Sequence, residues 1–152
     1  MSKLKQAMGI FSLSFLLIVM WPEPSPKRHI SRGIASEGGN TSSPFQRYGD
    51  EFESLAKQYG KLTYRYLIRF GKPELPGYSS QIYAVCNPVG DRHEITVDRE
   101  AWNNMSELCR KALIFHEAGH CGLGLVHGPG IMRDTLNCEA AANPKEIERL
   151  FN

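Results

Sequence analysis

Histidine, glutamate and histidine at positions 116, 117 and 120 form an HExxH sequence. On a helix, His116 and His120 are i and i+4, so both imidazoles stand on one face, a turn apart. Two neutral imidazoles so placed can grip a zinc ion, each Zn–N bond being about 2.0–2.1 Å. Glu117 is turned about 100° away from His116 and can reach a water beside the ion without ligating it. A carboxylate there acts as general base once zinc has lowered the pKa of its water to about 7. His127 is the candidate third ligand. On an unbroken helix it would lie about 16 Å beyond His116, so the chain must turn back for both to share one ion. Gly122 and Gly124 reach the positive φ that such a turn requires. Gly128-Pro129-Gly130 then makes a second turn before Ile131-Met132. The residues thus predict one zinc ion on His116, His120 and His127, with Glu117 as base.

The stretch HEAGHCGLGLVH followed by IM resembles the metzincin clan of zinc peptidases. Their motif is HExxHxxGxxH followed by a Met-turn; here one residue more separates the second and third histidines. Within that clan it is similar to a group of small, mostly bacterial, exported metallopeptidases. The resemblance implies an α+β domain with an N-terminal helix, a small twisted sheet, an active-site helix, a Met-turn and a C-terminal helix. It also implies hydrolysis of peptide bonds in a polypeptide substrate, zinc on the three histidines, Glu117 as general base and Met132 beneath the metal. A second likeness competes for the third ligand. Glu139 follows His120 at a spacing that resembles the gluzincin pattern, in which a glutamate on a later helix completes HExxH. The glycine break, the short step from His120 to His127 and the placement of Met132 favour His127.

The whole chain of 152 residues is 41% apolar and 22% charged, with a net charge of +2. That suits a small globular domain, assigned to residues 44–152, and excludes a disordered chain. The basic excess is too slight to point to nucleic acid as a partner. Lys3 and Lys5 precede an apolar run from Ala7 to Trp21, which reads as the charged and apolar regions of a signal sequence. Residues 1–21 are therefore expected to act as a signal sequence or an N-terminal membrane anchor, with membrane association through residues 7–21. Export to the periplasm, the cell surface or the medium follows. Residues 22–43, rich in Pro, Gly and Ser, read as a linker.

Within the domain, Ser43 and Pro44 read as N-cap and N1 of a helix. Phe45, Tyr48, Phe52, Leu55 and Tyr59 recur at helical spacing, and Gly60 ends the pattern. Residues 62–70 alternate, with Leu62, Tyr64, Tyr66, Ile68 and Phe70 on one side of a half-buried strand. Residues 81–86 and 94–98 read as two more strands joined by a turn over Asn87–Asp91. The helix that carries HExxH is expected from about Ser106 to Leu123, with Leu108, Ala112, Phe115 and Gly119 packed inward. Gly119 in mid-helix costs about 1 kcal/mol relative to alanine, which points to close packing there. Asn143, Pro144 and Glu146 read as N-cap, N1 and capping glutamate of a last helix, with Ile147, Leu150 and Phe151 inward.

Four cysteines, Cys86, Cys109, Cys121 and Cys138, suit a small exported domain stapled by disulfides. They do not read as metal ligands. Cys109 is about 10 Å along the helix from His116, and Cys121 points about 100° away from His120. Cys109 and Cys121 are about 18 Å apart on one helix and cannot pair with each other, which leaves two connectivities open. The resemblance implies Cys86–Cys121 with Cys109–Cys138, because similar sequences carry a cysteine directly after HExxH and another on an earlier strand.

Two functions therefore compete. One is a zinc endopeptidase; the other is a non-catalytic exported module whose zinc only stabilises a small fold. The intact Glu117 favours the first, since a purely structural site needs no base.

Overall fold

The computed structural model describes residues 43–77 and 82–152. The expected signal sequence or anchor and the expected linker lie outside these residues, except for Ser43. The chain is α+β, in the order α1 (Gln46–Gln58), β1 (Tyr66–Phe70), β2 (Ala84–Val89), β3 (Arg92–Val97), α2 (Arg99–Asn104), α3 (Glu107–Leu123) and α4 (Pro144–Phe151). Short 3-10 turns at Gly130–Met132 and Cys138–Ala142 lie between α3 and α4. Among the described residues, no helix is long and apolar enough to cross a membrane.

Helix α1 starts later than its cap residues suggest. Ser43 Oγ accepts the N–H of Phe45 at 3.3 Å, and its carbonyl accepts from Gln46 at 2.9 Å, so both close a turn ahead of the helix. Phe45 takes the N-cap position and is buried against Phe70 and Trp102, with ring centroids 4.6 and 4.8 Å away. Burial of an aromatic side chain outweighs the roughly 1 kcal/mol of a serine cap.

The sheet is mixed, in the order β1-β3-β2. β1 runs parallel to β3, and β2 pairs with β3 as an antiparallel hairpin. The predicted alternation over residues 62–70 holds from Ile68 to Phe70 but fails in its first half and at Leu67. Leu62 and Tyr64 are exposed, while Tyr66, Leu67 and Ile68 are buried in succession. The cause is that residues 61–65 are not strand: Tyr64 donates its N–H to the carbonyl of Gly122 at 2.7 Å, which ties this segment to the end of α3. β2 is shifted along the chain from the expected 81–86, starting at Ala84 and ending at Val89. Asn87, Pro88 and Val89 continue the strand, and Gly90-Asp91 makes the turn, with Gly90 at φ 62°. Pro88 is tolerated because β2 is an edge strand.

Helix α2 is an addition that hydrophobic spacing does not announce. Asp98 caps it by accepting the N–H of Ala101 at 2.7 Å, and Trp102 anchors it in the core. Helix α3 has the expected span, with Ser106 Oγ accepting from Cys109 at 3.2 Å. Residues 112–119 are all buried, whereas Leu108, expected inward, is exposed near the helix start. In α4, Asn143 caps and Pro144 opens the helix as expected, but Glu146 pairs with Arg149 at 2.8 Å rather than closing a capping box.

The disulfides are Cys86–Cys121 and Cys109–Cys138, the pairing that the resemblance implied, with Cα atoms 5.6 and 4.4 Å apart. The first fixes β2 to the end of α3; the second fixes the start of α3 to the 3-10 turn before α4. Two such bonds fit an oxidising, exported environment.

Phe52 is the aromatic centre of the core. It is fully buried, and its ring meets Tyr66, Phe115 and Phe151 at 6.4, 5.6 and 5.2 Å. Phe52→Ala is expected to cost about 3–5 kcal/mol, a large share of the roughly 5–15 kcal/mol of a typical domain. Urea denaturation checks this; a loss below about 1 kcal/mol would mean that the core closes without this ring.

Candidate metal centre

Three side chains converge where the chain reverses. The ring centroids of His116, His120 and His127 stand 4.7, 5.3 and 4.8 Å from one another. One ligand atom from each ring lies within 4.8 Å of the other two, and this group could hold a metal ion. His116 is buried, His120 half-buried and His127 exposed.

The reversal is made by Gly124 alone. It sits at φ 69° and donates its N–H to His120 O at 3.1 Å, while the N–H of Leu125 reaches back to Gly119 O at 3.0 Å. Folding residue 125 onto the last turns of α3 brings His127 beside His120, as the eleven-residue separation required. Gly122, expected to share in this break, lies inside the helix. A Cβ on it would meet the Tyr66 and Phe52 rings at 3.1 and 3.3 Å, so its role is close packing. Gly119 is a packing glycine too, and the neighbour is informative. A Cβ there would stand 2.5 Å from Met132 Sδ, so Met132 fills the space opposite the middle of HExxH.

Backbone carbonyls set the two helical imidazoles. His116 Nδ1 lies 2.8 Å from Ile131 O, and His120 Nδ1 lies 2.6 Å from Leu125 O. A carbonyl can only accept, so each Nδ1 must carry the proton and donate it. Each Nε2 is then a bare lone pair, and the two Nε2 atoms face each other at 3.1 Å. Two lone pairs in contact repel unless a cation lies between them. Nitrogen ligands of a tetrahedral ion with bonds of about 2.0–2.1 Å stand about 3.3 Å apart, close to what is observed. The donor set therefore fits a metal ion on chemistry as well as on distance.

The protonation states agree. Burial lowers His116 to about 4, against the opposing pull of the Ile131 carbonyl and with help from the other two histidines. His120 is lowered from its ordinary value, chiefly by burial. Both are thus neutral at pH 7, the form that ligates.

Glu117 is 6% exposed, and burial raises its carboxyl to about 7, partly opposed by a hydrogen bond from the backbone N–H of Cys86. It does not join the three histidines, as expected of a non-ligand one position from His116. Glu139, the competing third ligand, is exposed on the Cys138–Ala142 turn and does not join the histidine group. Reasoning from sequence missed the carbonyls of Ile131 and Leu125 and the N–H of Cys86. These are backbone atoms, which carry no side-chain signature.

His127→Ala is expected to weaken binding of zinc, used as the probe ion, by more than the ~10–100-fold typical of losing an outer partner. Glu139→Ala should leave affinity unchanged. Titration of both variants checks this, and a loss confined to Glu139→Ala would reverse the assignment.

No family model matches this chain, and no curated protein or solved structure matches it either.

Proposed function

We propose that this chain is an exported, zinc-dependent endopeptidase that cleaves peptide bonds in polypeptides with Glu117 as general base. The observation that carries the reading is the pair of Nε2 lone pairs of His116 and His120 facing each other at 3.1 Å, with His127 alongside. Three imidazoles are a donor set suited to zinc and leave a fourth position open. When bound, zinc supplies a Lewis acid for the scissile carbonyl and lowers the pKa of a water to about 7.

The remaining work falls to Glu117. Its carboxyl, raised to about 7 by burial, is matched to taking a proton from the attacking water near neutral pH. It then gives that proton to the amine nitrogen as the C–N bond breaks. Met132, packed against Gly119, supports the helix turn that carries Glu117 and His120. The two disulfides suit work outside the reducing cytoplasm.

The competing reading is a non-catalytic module with a structural zinc. Glu117 discriminates between the two. A buried carboxyl costs stability relative to an apolar residue, and a purely structural site has no use for it beside His116.

Glu117→Ala should keep one zinc per chain and lose about 10²–10⁴-fold in kcat, the range that general-base catalysis contributes. A peptide-library cleavage assay with metal analysis checks both. Near-native turnover in the variant would dismiss Glu117 as base. Wild-type protein that binds zinc yet cleaves nothing would favour the structural module.

A further inference from the structure

We propose that Cys86, held by its disulfide to Cys121, is a positioning residue that roofs Glu117 and fixes the direction of its carboxyl. The inference rests on the endopeptidase reading only for its kinetic consequence.

The geometry starts from helix spacing. Glu117 and Cys121 are i and i+4 on α3, so they stand on one face, one above the other. Cys121 is fully buried and bonded to Cys86 in β2, with Cα atoms 5.6 Å apart. Whatever Cys121 ties down therefore lies over the face that bears Glu117. β2 is the edge strand, held in the sheet through β3 alone. Register pairs Cys86 with Ile95, which is fully buried, so the tether point lies at the middle of the strand, over the core. The Cys86 backbone N–H is turned toward the Glu117 carboxyl and favours its charged form, the relation that a roof so placed would have.

Pro88, two residues along β2, has no N–H to offer in its place. Within the half of the strand that follows Cys86, no other residue on the same side can donate to Glu117. The disulfide thus does more than staple a small domain. Without it, an edge strand interrupted by proline is free to lift from α3, which would admit water to Glu117 and let its carboxyl turn. The Cys109–Cys138 bond closes a loop of similar length, 29 residues apart in sequence against 35, yet it touches the opposite end of α3. It serves as the internal control for disulfide loss alone.

The test compares C86A/C121A with C109A/C138A, both zinc-loaded and assayed below their melting temperatures. If C86A/C121A does not fold, C86V/C121A, which restores apolar volume without the tether, takes its place. C86A/C121A is expected to retain one zinc per chain and lose at least tenfold in kcat with KM within about twofold of wild type. C109A/C138A should keep its kcat while losing a comparable amount of thermal stability. A merely structural disulfide predicts the same small kinetic effect in both. A second arm needs no turnover: amide hydrogen exchange at residue 86 should speed at least tenfold in C86A/C121A, and also in Glu117→Ala, but not in C109A/C138A. Unchanged exchange at residue 86 in the first two variants, or equal kcat losses in the two disulfide variants, would overturn the proposal. If no form of the protein cleaves peptides, the endopeptidase reading fails, while the exchange arm still decides whether Cys86 roofs Glu117.

Discussion

The middle of α3 is buried on every side, and the rest of the chain is disposed to cover it. Residues 112–119 have no exposed member, although they include a histidine and a glutamate. A charged imidazolium and a carboxylate in such a place would each carry a large desolvation cost. The helix avoids it by shifting both groups toward neutrality: burial takes His116 down to about 4 and Glu117 up to about 7. The same burial that stabilises the fold therefore leaves an unprotonated imidazole and a carboxyl poised near neutral pH. Stability and chemistry draw here on one cause.

Covering the helix also dictates the connections around it. α1 lays Phe52 on Phe115, and α4 brings Phe151 to the same ring of Phe52. The Gly130–Met132 turn closes a third side, where Met132 meets Gly119. That turn has a second task, because its Ile131 carbonyl orients the His116 ring. A substitution that shifts this turn therefore disturbs packing and ligand direction together. The loop before it is similarly doubled: Leu125 donates to Gly119 and accepts from His120. Each outer partner of the imidazoles is thus fixed by a contact with α3 itself.

These arrangements explain which parts of the molecule could be read from the sequence. Helix α3 was legible because its limits are set locally, by the Ser106 cap and by Gly124 in the left-handed region. The convergence of three histidines was legible too, since a rise of about 1.5 Å per residue forbids it without a reversal. The strand at residues 62–70 was not, because its alternation is real but its first half is captured by the carbonyl of Gly122, a partner far along the chain. Helix α2 escaped because a single Trp102 supplies most of its anchor, leaving no periodic pattern to detect. Gly122 and Gly124 look alike in sequence, yet one fits beneath two aromatic rings and the other turns the chain. Only the neighbours of each distinguish them.

The three histidines differ in how firmly they are held, and this shapes how an ion would bind. His116 and His120 belong to a buried helix and have their tautomers fixed by carbonyls. His127 is exposed on a loop whose next residue, Gly128, donates to Met132 O at 2.8 Å. Two ligands are thus preorganised, and their facing lone pairs store an unfavourable contact that a cation relieves. The third already stands beside them, on a loop held by the Gly124 turn and by the Gly128–Met132 bond. An ion held there would bear on the loop more than on the helix, because His127 stands on the loop while the other two rings are already aimed by the Leu125 and Ile131 carbonyls. Binding and loop order would be linked in this way by mass action, so an ion would stabilise the very contacts that orient the imidazoles.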